Sequence, residues 1–258
     1  MTEKRISNRG VNMDLNNAYK LAEQRFSDAN PKSWDQYQVS CINMPGGNTR
    51  TGMYYAPYPL SMSHGKGAQI WDLDGHSYLD YAGDFSAGLF GHSNTIVHAE
   101  MEKALHNGLT FGSTSPHEAR LAALICERIP SIESLRFCNS GTEANIMALV
   151  TANAVTQKKK IMVFEGAYHG GTLSFPSNGS PINVPFEYVM APYNDKEKTA
   201  ALFEQYGNAL SAILVETMQG AGGCIPGTPD FLSLLRKKST EYGAILIFDE
   251  VMTSRLGA

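Results

Sequence analysis

Short apolar segments alternate with helical patterns throughout the second half of the chain. The apolar segments predict strands at 135–138, 160–164, 187–191, 212–216 and 244–248. The patterns between them predict helices at 142–156, 195–206 and 231–242. Strands that alternate with helices favour an α/β fold on a mainly parallel sheet, whose ligands bind beyond the carboxyl ends of the strands.

The first half of the chain is less regular. The predicted helices there are 15–29, which Pro31 ends, 94–107 and 116–128. The Asp74–Gly75 turn signal predicts a hairpin between strands at 68–72 and 77–81. The glycine-containing stretches 31–66 and 82–93 predict long irregular segments. We therefore expect an N-terminal α+β segment at 1–92 and a large ligand-binding domain at 93–258.

Composition and charge exclude several classes of protein. The net charge of −4 over 258 residues argues against a nucleic-acid surface, and the basic cluster Lys158–Lys160 is typical of a solvated helix end. No apolar run approaches the roughly 18 residues of a membrane span, and the polar N-terminus lacks a signal sequence. Four scattered cysteines favour reduced thiols over disulfides or a metal site. These features predict a cytoplasmic protein without nucleic-acid or membrane partners.

A turn of small polar residues precedes the helix at 142–156. Ser140 and Glu143 have the spacing of a capping box, which predicts that the helix begins at Ser140. The backbone N–H groups of Gly141, Thr142 and Glu143, together with two hydroxyls, would then form an anion site at a helix N-terminus. An ordinary capped helix is the alternative, and it is the commoner meaning of such a pattern. The helix's predicted apolar face comprises Ala144, Met147, Ala148, Thr151 and Val155.

Three predicted strands end in residues capable of chemistry. Asp249 follows the most apolar strand, Glu216 ends another, and Tyr168 and His169 stand on the glycine-rich loop after a third. An aromatic ring beside a histidine suits contact with a flat ligand. Taken singly, Asp249 could face water or cap the next segment, Tyr168 could be an ordinary packed residue, and His169 could be an ordinary surface residue.

Together these segments resemble the class-III aminotransferases, which are fold-type I pyridoxal-phosphate (PLP) enzymes, and most closely the glutamate-1-semialdehyde 2,1-aminomutase branch. The resemblance covers roughly residues 15–258. The segments that carry it are Pro45–Gly47, Trp71–Tyr81, Gly91–His92, Arg136–Ala144, Phe164–Gly170 and Phe248–Arg255.

The resemblance implies a role for each site residue. The turn of Ser140, Gly141 and Thr142 would hold the PLP phosphate. Tyr168 and Val251 would cover the two ring faces. The remaining implied contacts are Asp249 with the ring nitrogen, His169 lining the pocket, Glu216 supporting it from behind, and Arg50 binding the substrate carboxylate.

The sequence also departs from the family pattern. Thr217 replaces a proline, and Ala221 stands where the aminomutase branch has asparagine and ornithine-type enzymes have an acid. The catalytic Schiff-base lysine of the family is expected beyond Ala258, together with the C-terminal domain. The sequence therefore predicts that the 258-residue chain alone is inactive and that its sheet has an unpaired apolar edge.

The expected function is PLP-dependent transfer of an amino group on a small carboxylate substrate, as an aminotransferase or aminomutase, by a homodimer. The alternative is a non-catalytic PLP-binding fragment. A nicotinamide dehydrogenase would need G-x-G-x-x-G, but Ile225 stands where the last glycine of the nearest run belongs. A serine hydrolase would need G-x-S-x-G, which the sequence does not contain.

Overall fold

The structure, a computed structural model, describes residues 14–177 and 179–254. The chain divides into two compact units. The first comprises the described residues up to Gly83 together with Gly88–Ala104, and the second comprises Asp84–Ala87 and the described residues from Leu105 onwards. The assignment of 93–258 to one ligand-binding domain stays a prediction.

The helices follow most of the predicted boundaries. Their bounds are α1 Leu15–Ala29, α2 Pro31–Asn43, α3 Thr95–Asn107, α4 Pro116–Arg128, α5 Gly141–Thr156, α6 Lys196–Tyr206 and α7 Pro229–Tyr242. Local chemistry explains these limits. For example, α7 begins after Thr228, whose hydroxyl accepts the N–H of Phe231, and it ends at Gly243, whose φ of 60° suits glycine.

The strands form three separate sheets. Their bounds are β1 Met62–Lys66, β2 Gln69–Asp72, β3 Ser77–Leu79, β4 Lys160–Phe164, β5 Glu187–Ala191, β6 Leu210–Glu216, β7 Met218–Gln219, β8 Ile225–Pro226 and β9 Ile245–Asp249. β1, β2 and β3 form an antiparallel sheet in the first unit. This sheet confirms the predicted hairpin and adds β1, which was not predicted.

A four-stranded parallel sheet organises the second unit, as the strand and helix alternation predicts. Its order is β5-β4-β6-β9, and every neighbouring pair is parallel. All residues of β6 are buried, and α5, α6 and α7 pack against the sheet through Leu149, Phe203 and Phe231. The carboxyl ends of β4, β6 and β9 therefore meet at one edge, and the polar residues that follow them converge there.

β9 lies at the end of the described sheet, since it pairs only with β6 among the described strands. Ile245 and Phe248 on this strand are 41% and 43% exposed. An apolar edge strand was predicted here, and the described residues contain one.

One predicted irregular segment is corrected by the structure. Residues 31–43 form α2 rather than an irregular segment, because Pro31 occupies the first helical position, where its fixed φ favours helix initiation. Trp34 and Tyr37 on α2 then pack on the buried ring of Tyr58, with ring centroids 5.1 and 6.2 Å away. The helix that Pro31 was expected to end does stop, but a second helix begins at once.

Two further predictions in the second unit are wrong. Residues 135–138 form no strand, because no described strand supplies a ladder partner. The buried residues of α5 are Asn145, Leu149 and Ala152 rather than the predicted face, and Val155 is 69% exposed. The helix carries small and apolar residues on all of its faces, so periodicity alone could not select the face that packs against the sheet.

Candidate active site

The Asp249 carboxylate, at the end of β9, receives hydrogen bonds from three separate parts of the second unit. His169 Nδ1 lies 2.8 Å from Oδ2, and Asn145 Nδ2 donates to the same oxygen at 2.9 Å. The N–H of Val251 donates to Oδ1 at 3.0 Å. The His169 and Asp249 side chains are 0% and 5% exposed, so these contacts form out of water.

These donors keep the buried carboxylate ionised. Burial by itself would raise the pKa of Asp249, but the hydrogen bond from His169, with help from Val251 and Asn145, outweighs it and holds the pKa below its usual value. His169 must then donate through Nδ1–H. Its Nε2 is buried and has no hydrogen-bond partner among the described residues.

Glu216 connects two loops at the same edge of the sheet. It stands beside Asp249 in the β6–β9 register, and its two oxygens accept the N–H groups of Tyr168 at 3.1 Å and Gly220 at 3.0 Å. Burial raises the pKa of Glu216, against the lowering effect of these two N–H donors. The Tyr168 backbone is thus held by a carboxylate 48 residues away in sequence.

The small-residue turn before α5 has the predicted cap. The Ser140 hydroxyl accepts the N–H of Glu143 at 3.2 Å, so this N–H is used by the cap and is not the free anion donor that was predicted. The Glu143 carboxylate reaches back to the N–H of Asn139 at 2.8 Å rather than to Ser140 itself. The helix begins at Gly141, one residue after its cap. The N-terminus of α5 therefore offers the donors and dipole that an anion requires.

Two glycines show how closely the loops approach this turn. A Cβ built on Gly170 would lie 1.9 Å from the Thr142 hydroxyl, and Gly170 has a φ of 121°. A Cβ on Gly141 would lie 2.9 Å from the Val251 side chain. Any larger residue would push these elements apart. The turn of Ser140, Gly141 and Thr142, which we call the anion turn after its predicted ligand, therefore forms one continuous group with the loop after β4 and the end of β9.

Some predicted site residues present exposed surface around these buried groups. Tyr168 is 50% exposed and Val251 is 53% exposed. An exposed aromatic ring, a helix N-terminus and a buried ionised carboxylate together fit a flat ligand with an anionic group and a ring atom that binds a proton. That chemistry matches the predicted cofactor, and the residues therefore fit it.

The structure brings eight of the nine predicted site residues together in the second unit. Arg50 belongs to the first unit, where it is exposed, and its assignment to the substrate carboxylate stays a prediction. Arg255, which belongs to the last segment of the family resemblance, lies outside the described residues. Within the described ranges, no cluster of three metal-ligating side chains occurs, and no helix has the length and apolar character of a membrane span.

Asn145 is the site residue that sequence reasoning missed. Besides Asp249, its Nδ2 donates to the backbone carbonyl of His169 at 3.2 Å. The available signal was a polar residue one helical turn before Leu149, on the face that packs against the sheet. Choosing the other face of α5 placed Asn145 on the solvent side.

Comparisons with known proteins identify the family to which the chain belongs. The family model described as "Aminotransferase class-III" matches residues 52–257. A β-phenylalanine transaminase from Variovorax paradoxus is 49% identical over 242 residues, which are 94% of this chain and 56% of that protein. A glutamate-1-semialdehyde 2,1-aminomutase from Geobacillus kaustophilus is 38% identical over 239 residues, covering 86% of this chain and 56% of that protein.

Solved structures show the same fold. The crystal structure of a β-phenylalanine aminotransferase from Variovorax paradoxus has a TM-score of 0.91 and 48% identity, covering 95% of this chain and 57% of that one. A transaminase with PLP bound has a TM-score of 0.81 and 32% identity, covering 88% and 57%. The chain thus spans about half the length of the relatives it matches.

Proposed function

Because the chain belongs to the class-III aminotransferase family and has the fold-type I architecture, we propose that it takes part in PLP-dependent amino-group transfer on small carboxylate substrates. The observation that carries this proposal is the Asp249 carboxylate. It is buried and ionised, and it lies in one contact group with an exposed aromatic ring and a capped helix N-terminus. PLP presents a phosphate, a flat ring and a basic ring nitrogen, which these three features match.

Each residue has a defined part in this proposal. Ser140, Gly141 and Thr142 bind the phosphate through hydroxyl and N–H donors at the start of α5. Tyr168 and Val251 contact the two faces of the ring. His169 lines the pocket and, through its bond to Asp249, keeps that carboxylate oriented toward the ring nitrogen. When bound, PLP supplies an electron sink for the carbon that loses a proton, and a protonated ring nitrogen strengthens this effect.

The substrate class rests on the relatives. The relative at 49% identity is a β-phenylalanine transaminase, whereas the aminomutase is 38% identical. Ala221 also differs from the asparagine that the aminomutase branch has at this position. We therefore propose that the amino group is transferred from a β-amino acid. Aminomutase activity is the second candidate.

The direct test uses the protein as its natural gene encodes it. The 258-residue chain by itself is the subject of a separate test. Purified protein is incubated with PLP, β-phenylalanine and a 2-oxo acid, and formation of the new amino acid is followed by chromatography. A parallel reaction contains glutamate-1-semialdehyde. Transfer with β-phenylalanine supports the first candidate, and isomerisation of the semialdehyde supports the second. Failure to bind PLP would contradict both.

The positions of the lysines in the second unit lead to a separate proposal. Lys158, Lys159 and Lys160 lie at the amino end of β4, and Lys237 and Lys238 lie near the end of α7, remote from the loops after the strands. The two on the first turn of α6 form ion pairs: Lys196 with Asp230 at 2.9 Å, and Lys198 with Asp195 at 3.2 Å. None of these amines is placed to react with PLP held by Asp249.

We therefore propose that the 258-residue chain by itself performs no amino transfer. The chain is incubated with PLP and borohydride, and modified lysines are identified by mass spectrometry. A specific reduced adduct together with turnover would contradict this proposal.

The homodimer also remains a proposal, and exposed aromatic residues support it. In the first unit, Tyr54, Tyr55 and Phe90 are 47%, 46% and 78% exposed, and Phe85 in the second is 53% exposed. Aromatic surface of this kind is typical of an interface. Sedimentation of the protein expressed from its own gene should show a dimer at micromolar concentration. A compact monomer under those conditions would contradict the proposal.

A further inference from the structure

Asn145 is a buried polar residue that the proposed chemistry has not yet used. It lies on the face of α5 that packs against the sheet, and only 7% of its surface is exposed. Its amide nitrogen has two hydrogens, and two acceptors lie within reach: Asp249 Oδ2 at 2.9 Å and the His169 carbonyl at 3.2 Å. Both donor positions of the amide are therefore used.

The two acceptors belong to different elements that are far apart in sequence. Asp249 is 104 residues from Asn145 and ends β9, whereas His169 is 24 residues away on the loop after β4. Asn145 itself lies on the helix whose N-terminus forms the anion turn. One nitrogen atom thus connects the three elements that carry the proposed contacts to phosphate, ring face and ring nitrogen.

Few other side chains could make this connection. Aspartate has the same shape but no hydrogen to donate when ionised, and it would set a second negative charge beside Asp249. Leucine has a similar volume but no donor, so it would leave a buried carboxylate oxygen and a carbonyl each with one partner fewer. The titratable groups that face Asp249 are His169 from the loop after β4 and Glu216 from β6.

We propose that Asn145 is a positioning residue that holds the Asp249 carboxylate and the Tyr168–His169 loop in one arrangement, and that it thereby sets the affinity of the site for PLP. This proposal rests on the proposed function. It assigns a role to a residue that contacts the Asp249 carboxylate rather than the cofactor itself.

A double-mutant cycle tests the proposal in the protein expressed from its own gene. The variants are Asn145→Leu, Asp249→Asn and the double mutant, and the measurement is the PLP dissociation constant from absorbance titration. Loss of a hydrogen bond to a charged group should weaken PLP binding about tenfold in Asn145→Leu. In the Asp249→Asn background the same change should weaken it about threefold or less, since the charged partner is gone and the bond to the His169 carbonyl accounts for the rest.

Two controls separate positioning from folding. Thr151→Leu, an exposed polar-to-leucine change on the same helix, should leave PLP affinity at the wild-type value. Visible circular dichroism at saturating PLP reports the surroundings of the bound ring, which a change in stability alone would not alter. We expect a changed band in Asn145→Leu and an unchanged one in Thr151→Leu. If Asn145→Leu does not fold, Asn145→Ser, which retains one donor, takes its place.

The outcomes are distinct. If the wild-type protein does not bind PLP, the proposed function fails. If the wild type binds PLP but Asn145→Leu binds it equally well, or weakens it by the same factor in both backgrounds, the positioning role is wrong and the proposed function stands.

Discussion

The two units each contain a buried aspartate paired with a histidine, and the two pairs differ in how they are built. In the first unit, Asp72 Oδ2 lies 2.9 Å from His76 Nδ1 and accepts the Tyr78 hydroxyl at 2.7 Å. Its Oδ1 accepts the His76 N–H at 2.8 Å. All these donors come from the same hairpin, within six residues. In the second unit, the donors to Asp249 include side chains 80 and 104 residues away.

This difference separates a structural pair from a pair that lies at the candidate active site. Asp72 has a side chain that is 0% exposed, and its contacts serve to close the turn between β2 and β3. Asp249 stands at the carboxyl end of a parallel strand, next to surface that Tyr168 and Val251 leave exposed. The same two residue types therefore stabilise a local turn in one place and, in the other, orient an ionised oxygen at the proposed cofactor site.

The largest expected effect comes from removing the negative charge of Asp249. Asp249→Asn keeps the shape and an acceptor oxygen but removes the negative charge beside the proposed ring nitrogen. We expect amino transfer by the protein expressed from its own gene to fall by about a hundredfold to a thousandfold. Steady-state kinetics measures this effect. The matched change Asp72→Asn should leave kcat unchanged at a temperature where the variant is folded. An equal fall in kcat in both variants would show that the two aspartates do not differ in function.

The second effect concerns stability, and it should be larger for Asp72. Asp72→Asn replaces an acceptor of three hydrogen bonds in a buried turn, so we expect the free energy of unfolding to fall by about 1–3 kcal/mol. Urea denaturation measures it, with the exposed Asp35→Asn as the control in the same unit. A stability equal to that of the control would show that the hairpin does not need this carboxylate.

The pH dependence of stability gives an independent check on the same residue. Burial opposes ionisation, but the bonds from Tyr78 and His76 outweigh it and lower the pKa of Asp72 from 3.8 to about 2. A group whose pKa is lowered by folding stabilises the protein above its unfolded pKa. That contribution should therefore be present above pH 4 and be lost as the pH falls toward 2. The slope of stability against pH in this range should be smaller in Asp72→Asn, and an identical slope would contradict the assignment.

The smallest expected effect lies at the anion turn of the second unit. Thr142→Ala removes one hydroxyl that would donate to the PLP phosphate, so PLP should bind about tenfold more weakly. Thr151→Ala, an exposed change on the same helix, serves as the control. Unchanged PLP affinity in Thr142→Ala would move the phosphate away from this turn while leaving the comparison of the two aspartates intact.

The sequence predicted the features that depend on neighbouring residues. The hairpin around Asp74–Gly75, the helix that begins at Pro116 and the capped start of α5 follow from turn, proline and capping chemistry, and the structure confirms them. The α/β class and the family resemblance were likewise available from periodicity and from short segments in order. These signals are local, so a single sequence contains them.

Tertiary structure decided the features that depend on distant partners. Residues 135–138 are apolar enough for a strand but form none, because strand formation requires ladder bonds to another segment. The side of α5 that faces the sheet, and with it the contact of Asn145 with Asp249, could not be read from a helix with small and apolar residues around it. The Asp72 pair is encoded within one turn of chain, whereas the Asp249 pair exists only once parallel strands bring their carboxyl ends to a common edge.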